Sequence, residues 1–352
     1  MLYKNFDLHN VADVEESPLG LKLYRFPKPL CDSMGLGTRL YGRHVARSTP
    51  GCEIRFVTGG ERALISLSAI GEDGFVEVFR GDFRYFNGAC NNYCYPVRKG
   101  QVTQIELVKD GHFESMPPAL KRREGGFSPD VWRIMGDVNF YLTFVDFDDM
   151  GFGVRPPRPD EMPEKTLLCY GTSLTFGACG STHSTAYCQL MGRLLNVNLL
   201  NKSMGGSCMN EPQLADYFAS DAVQYDALFL ENAVNMDFDP AEYERRTRYL
   251  LEQVTQKKPD VPIFMVTSYP SYATAEPVSA CPVTKKLTGG CIENDAVIRR
   301  MGEEFAQVHV IEGAEMLNDF TALTCDMIHL SDYGHIMVGT NLARRIGELW
   351  QR

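Results

Sequence analysis

The sequence lacks the features of a membrane protein. No run of about 18 apolar residues occurs anywhere in its 352 residues, so the pattern predicts no transmembrane helix. Residues 1–16 contain several acids and lack the apolar core of about 7 to 15 residues that a secretory signal peptide needs. From these absences we expect a cytoplasmic protein with no membrane partner.

Basic charge is also scarce. The chain has 35 lysines and arginines against 45 acids, a formal net charge of −10. Nucleic acids and anionic membranes repel such a protein unless it carries a local basic patch. The short basic runs at residues 121–123 and 245–248 are typical of solvated faces. We therefore expect no nucleic-acid partner.

The cysteines do not form the pattern of a disulfide framework or a zinc site. Their number, eleven, is odd, and they are scattered through the chain, as is typical of reduced thiols. Cys90 and Cys94 form a close pair, but no second Cys/His pair follows at zinc spacing. We predict that the protein needs neither a metal nor a cofactor.

The N-terminal half has the pattern of an all-β sandwich. From about residue 21 to 149, short strands alternate with glycine-containing turns. Polar and apolar residues alternate at positions 53–57 and 104–108, which predicts one buried and one wet face for each strand. We predict a sandwich of jelly-roll type over residues 1–155, with residues 151–163, rich in proline and glycine, as the linker.

The C-terminal half has the pattern of an α/β fold. Predicted strands alternate with amphipathic helices, which indicates a mostly parallel, doubly wound sheet. The five predicted strands are residues 167–170, 197–200, 227–231, 261–267 and 308–311. We assign residues 156–352 to this second domain.

One turn stands out at the end of the first of these strands. In KTLLCYGTSLTFG, residues 165–177, an apolar run breaks into a turn that carries Ser173 between Gly171 and Gly177. An α/β fold displays a nucleophile at such a place, although a plain βα loop with a serine N-cap has the same pattern. Gly206, Asn235 and His329 also follow predicted strands. Because ligands bind at the carboxyl edge of such a sheet, these four residues are candidates for one site.

The same segments resemble a known family. GTSLTFG, the glycine pair of MGGSCMNEP, Asn235 in ENAVNMD, and DMIHLSDYGH look like the four sequence blocks of the SGNH (GDSL-type) hydrolases, in order. The resemblance covers about residues 165–349. With its β-rich N-terminal half, the chain is similar to the two-domain carbohydrate esterases of that superfamily.

The resemblance implies a role for each residue. Ser173 matches the nucleophile and one backbone N–H donor of the oxyanion hole, Gly206 the second N–H donor, and Asn235 the amide donor. His329 matches the general base and Asp326 the acid that orients it. Histidine, with an ordinary pKa of about 6.5, suits a base near neutral pH.

The chain departs from the family pattern at four positions. Thr172 stands where the family commonly has aspartate, and Leu330 replaces the usual proline after the histidine. In the third block, Ala233 replaces a glycine and Met236 an aspartate. The assignment of Asn235 therefore depends on fewer matching residues than that of Ser173 or His329.

The resemblance implies a serine esterase that removes small acyl groups, acetyl above all, from a sugar or oligosaccharide ester. A lysophospholipase, a thioesterase and a carbohydrate-binding protein without activity remain alternatives. His335 is expected to have a structural role, and His183 to be a solvated loop residue. The long loop at residues 269–294 is a candidate to cover the cleft or to join the subunits of a homo-oligomer.

Overall fold

A computed structural model describes residues 1–35, 41–86, 94–137, 141–236, 239–272, 274 and 288–350. Cys90 and most of the loop at residues 269–294 lie outside this part. The expectation that Cys90 and Cys94 hold no metal and the roles suggested for the loop therefore stay predictions. Seven cysteines within the described part are free thiols, namely Cys31, Cys52, Cys169, Cys179, Cys188, Cys208 and Cys325. None of the helices described there is long and apolar enough to cross a membrane.

The N-terminal half contains two antiparallel sheets. Its strands are β1 (Leu2–Tyr3), β2 (Phe6–His9), β3 (Asp13–Ser17), β4 (Gly20–Tyr24), β5 (Glu53–Thr58), β6 (Arg62–Ala69), β7 (Gly74–Arg80), β8 (Phe83–Arg84), β9 (Cys94–Val97), β10 (Thr103–Val108), β11 (Trp132–Gly136), β12 (Leu142–Asp148) and β13 (Val154–Arg155). One sheet has the order β1-β2-β5-β11-β7-β8, with β13 on β5 and β9 on β7. The other has the order β10-β6-β12-β4-β3.

The apolar faces of the two sheets pack against each other. Phe6 on β2 contacts Phe144 on β12, with ring centroids 5.0 Å apart, and both belong to one buried apolar cluster. The predicted antiparallel sandwich is thus confirmed. The finer jelly-roll topology stays a prediction.

The prediction of one wet face is wrong for β5. Glu53 and Arg55 are both only 2% exposed. Arg55 donates to Oδ1 of Asn198, 2.8 Å away in the C-terminal half, so the outer face of β5 is covered by the rest of the chain. The carboxylate of Glu53 also accepts from Arg133 at 2.7 Å. Burial raises the pKa of Glu53, but the two guanidinium groups outweigh burial and hold that pKa below its usual range.

Short helices interrupt the strands of this half, and the strand pattern did not predict them. They are α1 (Lys28–Ser33), α2 (Tyr41–Arg47), α3 (Gly111–Ser115) and α4 (Pro118–Lys121). Cys31 on α1 and Val45 on α2 belong to the main apolar cluster of the C-terminal half. Phe26, just before α1, lies against Tyr217 with ring centroids 6.0 Å apart. The two halves therefore share a core.

The C-terminal half contains the predicted five-stranded parallel sheet. Its strands are β14 (Thr166–Gly171), β15 (Asn198–Asn201), β16 (Ala227–Glu231), β17 (Ile263–Val266) and β18 (Val308–Ile311), in the order β15-β14-β16-β17-β18. The helices are α5 (Ser173–Phe176), α6 (Tyr187–Leu195), α7 (Pro212–Ala219), α8 (Pro240–Lys257), α9 (Thr288–Glu304), α10 (Gly313–Met316) and α11 (Asp332–Trp350).

Helices cover both faces of this sheet. On β14, Leu168 and Tyr170 belong to the cluster that includes residues of α7, α8 and α9. Leu167 and Cys169 point to the opposite face, in the cluster with residues of α6 and α11. The apolar run of β14 thus reflects burial on both sides, as in a doubly wound fold. Because β14 lies between β15 and β16, the strand order reverses there, and the carboxyl edge at such a reversal is where α/β sheets bind ligands.

The segment predicted as a linker is ordered. Val154 and Arg155 pair with β5, and the carboxylate of Glu161 accepts two hydrogen bonds of 2.7 Å from Arg155. The division of the chain at residue 155 stays a prediction.

Candidate active site

The turn that carries Ser173 is built from tight contacts around Gly171. A Cβ atom at this position would lie 2.2 Å from Oγ1 of Thr175 and 2.8 Å from the carbonyl oxygen of Glu231, so only glycine fits. Thr172 caps the single helical turn α5 by accepting from the N–H of Leu174 at 3.3 Å. Ser173 therefore stands at the first position of α5, two residues after β14 ends.

Ser173 begins a chain of hydrogen bonds that leads to the loop before α11. Its Oγ lies 2.8 Å from Nε2 of His329, and Nδ1 of His329 lies 2.6 Å from Oδ2 of Asp326. A carboxylate can only accept, so Nδ1 carries the proton and Nε2 of the neutral ring accepts from the serine hydroxyl. The structure thus brings three sequence-predicted residues together in one chain of hydrogen bonds.

The loop before α11 positions Asp326. Oδ1 of Asp326 accepts from Oγ1 of Thr324 at 2.7 Å and from the N–H groups of Ile328 and His329 at 2.9 Å. Met327 adopts a left-handed φ of 59°, which curls the loop enough for Asp326 to reach a histidine three residues later. Burial raises the pKa of Asp326, but the bonds from His329, Ile328 and Thr324 outweigh it and hold that pKa below its usual range. Asp326 is therefore a carboxylate at neutral pH.

The loop after β15 carries Gly206 and is fastened to the serine turn. The N–H of Met204 donates to the carbonyl oxygen of Gly171 at 2.8 Å, and Gly205 lies against the ring of Phe176. Gly206 has φ +65°, and among the described residues none besides its two chain neighbours lies within 4 Å of where its Cβ would be. The left-handed backbone favours glycine at this position.

Asn235 is joined to the same loop. Its Oδ1 accepts from the N–H of Cys208 at 3.1 Å, which fixes the side-chain amide with Nδ2 as its donor group. The loops after β15 and β16 are thereby linked at the edge of the sheet where Ser173 lies. Asn235 is held in place although Ala233 and Met236, both buried, replace the usual residues around it.

A buried acid that sequence reasoning missed supports the serine turn. Oε2 of Glu231, the last residue of β16, accepts from N and Oγ1 of Thr172 at 3.0 and 2.7 Å and from Oγ1 of Thr175 at 2.9 Å. Burial raises the pKa of Glu231 to about 7, against these hydrogen bonds, which lower it. The family commonly has an aspartate at the position of Thr172. Here the carboxyl group beside the turn comes from Glu231 on the neighbouring strand β16. One feature of the sequence could have pointed to Glu231: it is the only acid in the otherwise apolar strand ALFLE, residues 227–231.

A buried cation, Arg25, joins the N-terminal half to the segment before Gly206. The guanidinium group of Arg25, which is 0% exposed, donates to the carbonyl oxygens of Asn201 and Ser203 at 2.9 Å. It also donates to the carbonyl oxygens of Ser48 and Val45. Burial lowers the pKa of Arg25 to about 10. The N-terminal half therefore fixes the path of the chain into the Gly206 loop.

Two further histidines bind described residues other than Ser173 and His329. His335 is buried as expected of a structural residue: Nδ1 accepts from the N–H of Tyr187, and Nε2 lies 3.2 Å from the carbonyl oxygen of Ala178. The expectation of a solvated His183 is wrong. His183 is 1% exposed and lies 3.0 Å from the amide nitrogen of Gln189, and burial lowers its pKa to about 3.

The family comparison agrees with the fold. Residues 164–346, just over half of the chain, match the model of the GDSL-like lipase/acylhydrolase family. The chain belongs to this family. No curated protein sequence matches the chain.

Solved structures with the same fold extend over both halves. The salicylyl-acyltransferase SsfX3 from a tetracycline biosynthetic pathway superposes with a TM-score of 0.76 at 12% identity, over 99% of this chain and 95% of that one. A putative GDSL-like lipase from Bacteroides ovatus has a TM-score of 0.67 at 16% identity, over 99% and 96%. A family two carbohydrate esterase from Clostridium thermocellum, solved with cellohexaose, has a TM-score of 0.60 at 13% identity, over 98% of both chains.

Proposed function

We propose that the protein is a serine esterase that hydrolyses small acyl esters, acetyl esters of a carbohydrate first among them. The observation that carries the proposal is the chain of hydrogen bonds from Ser173 through His329 to Asp326, at 2.8 and 2.6 Å. Membership of the GDSL-like lipase/acylhydrolase family supports a hydrolase. The fold shared with a family two carbohydrate esterase supports the choice of a sugar ester.

The proposed mechanism follows from these contacts. Oγ of Ser173 attacks the ester carbonyl as Nε2 of His329 takes its proton, and the negative charge of Asp326 stabilises the imidazolium that results. The N–H groups of Ser173 and Gly206 and Nδ2 of Asn235 donate to the oxyanion of the tetrahedral intermediate. His329 then returns the proton to the departing alcohol, and a water molecule hydrolyses the acyl-enzyme by the same steps.

The departures from the family pattern are compatible with activity. Thr172 is held by Glu231, and Leu330 is 0% exposed and pairs with Leu323 beside the histidine loop. Neither substitution interrupts the contacts of Ser173 or His329. These contacts favour an enzyme over a carbohydrate-binding protein without activity.

Acyl transfer is a second candidate, because the fold is shared over almost the whole chain with a salicylyl-acyltransferase. In that case an alcohol of an acceptor molecule takes the place of water in the second half of the reaction. Hydrolysis and transfer use the same acyl-enzyme and differ only in the group that attacks it.

Released acetate from a panel of acetylated oligosaccharides tests the proposal, with 4-nitrophenyl acetate and octanoate as reference esters. We expect acetate release from at least one oligosaccharide and faster turnover of acetyl than of octanoyl esters. A preference for octanoyl esters would favour a lysophospholipase or thioesterase. Turnover that appears only with an added alcohol acceptor would favour acyl transfer. Ser173→Ala should abolish each reaction without unfolding the protein, and full activity in that variant would refute the assignment.

A further inference from the structure

A cysteine lies beside the hydrogen-bonded chain and has no role in the proposed reaction. Sγ of Cys179, a carboxylate oxygen of Asp326 and a ring nitrogen of His329 all lie within 4.8 Å of one another. Cys179 is an exposed free thiol. The group therefore combines a sulfur, a nitrogen and an oxygen ligand at a position that ions can reach from solvent.

The backbone holds Cys179 in this place. The N–H groups of Gly177 and Ala178 donate to the carbonyl oxygen of Ser173 at 3.1 and 3.0 Å, and His335 binds the carbonyl oxygen of Ala178. Cys179 itself has a left-handed φ of 67°. These contacts hold the backbone that places the Cys179 thiol beside Asp326 and His329.

From this geometry we infer that Cys179, His329 and Asp326 form an inhibitory site for zinc. Sulfur and imidazole ligands with one carboxylate suit zinc and do not suit magnesium or calcium, which bind oxygen ligands. Zinc bonds of about 2.0 to 2.3 Å place tetrahedral ligand atoms roughly 3.3 to 3.8 Å apart. Side-chain movements of about 1 Å bring the three groups to that spacing, and water completes the coordination.

Zinc at this site would stop the proposed reaction. The ion takes the thiolate of Cys179 and releases its proton. It also takes the lone pair of one ring nitrogen of His329. If that nitrogen is Nδ1, its proton moves to Nε2, and if it is Nε2, the ion occupies the acceptor itself, so in either case the imidazole no longer accepts the proton of Ser173. This consequence rests on the proposed function, whereas binding of the metal does not.

Direct binding measurements separate the two claims. Zinc is titrated by calorimetry into metal-free, reduced protein as wild type, Cys179→Ser, Cys325→Ser and Ser173→Ala. Loss of outer partners of a metal ligand typically weakens affinity 10- to 100-fold, so we expect loss of the thiolate to weaken binding at least about tenfold. Cys325→Ser is the matched control, because Cys325 is an exposed neighbour of Asp326 outside the group. Cys325→Ser and Ser173→Ala should bind zinc like the wild type.

Cobalt gives a spectroscopic signature of the ligand. With Co²⁺ we expect a thiolate-to-cobalt charge-transfer band in the wild type and Cys325→Ser that is absent from Cys179→Ser.

If the protein turns over an acyl ester, zinc should inhibit the wild type, EDTA should restore activity, and Cys179→Ser should resist inhibition. Equal zinc affinity in wild type and Cys179→Ser, or a cobalt band that survives in Cys179→Ser, would overturn the zinc site. Metal binding without ester turnover would overturn the proposed function and leave the zinc site standing.

Discussion

Oε2 of Glu231 accepts hydrogen bonds from both N and Oγ1 of Thr172, at 3.0 and 2.7 Å, directly before the serine of the candidate site. The contact crosses from β16 to the end of β14. It connects the sequence change at Thr172 with an acid on the neighbouring strand. The serine turn is therefore supported by a buried carboxyl group whose protonation changes near neutral pH.

The pH dependence of stability should report on this group. Burial raises the pKa of Glu231 from 4.5 to about 7 in the folded protein, so the folded chain keeps a proton that the unfolded chain releases above pH 4.5. The contribution of Glu231 to the free energy of unfolding is fully present below pH 4.5 and is lost as the pH rises through 7. Glu231→Gln cannot ionise. The free energy of unfolding of the wild type minus that of Glu231→Gln, both measured in urea, should therefore fall from pH 4.5 to pH 7. A constant or rising value would contradict the assignment.

Asp326→Asn should separate charge from geometry at the histidine. The amide keeps the size of the side chain but loses the negative charge and can present the wrong hydrogen-bonding group to Nδ1. If the three residues act as a Ser-His-Asp triad, kcat should fall by about 10³- to 10⁴-fold with little change in thermal stability. A loss of less than about tenfold, measured with 4-nitrophenyl acetate, would remove Asp326 from the mechanism.

Variants of Asn235 test whether its side chain donates a hydrogen bond to the oxyanion or only supports the loop that carries Cys208. Asn235→Asp can still accept from the N–H of Cys208 but has no N–H for an oxyanion, whereas Asn235→Ala loses both. If Nδ2 stabilises the oxyanion, both variants should lose about 10²- to 10³-fold in kcat with a small change in KM. Recovery of most of the activity in Asn235→Asp would mean that Asn235 only holds the loop.

Arg25 tests how far the N-terminal half supports the site. Arg25→Leu removes the donor from four buried carbonyl groups, and unsatisfied buried acceptors are costly, so the free energy of unfolding should fall by at least about 3 kcal/mol. The control is Arg62→Leu, because Arg62 is exposed and its removal should leave stability nearly unchanged. Equal effects in urea denaturation would show that the buried guanidinium does not join the two halves.

Sequence patterns predicted the parts of the fold that depend on local periodicity. The apolar run of β14 and the glycines around Ser173 are consequences of burial and of a tight turn, so they are visible in the sequence. The polarity of Glu53 and Arg55 predicted a solvent-exposed face for β5. This prediction was wrong, because residues more than a hundred positions away cover that face. Helices α1 and α2 were missed for a similar reason, since their apolar residues pack into the distant core.

The candidate site was predictable where motifs mark it and unpredictable where distant residues meet. Ser173, Asp326 and His329 were named from motif spacing, and the structure brings them into hydrogen-bonding contact. Glu231 and Cys179 carry no motif. Their roles depend on the register between β14 and β16 and on the approach of the histidine loop to the turn after α5.

Covalent labelling of the serine tests the central claim most directly. A small alkyl fluorophosphonate loses fluoride when an activated serine attacks its phosphorus, and the mass of the intact protein then rises by one adduct. We predict one adduct per chain, mapped to Ser173 by peptide mass spectrometry, slowed greatly in His329→Ala and absent from Ser173→Ala. An unlabelled wild type, or an adduct of equal yield in Ser173→Ala, would contradict the account.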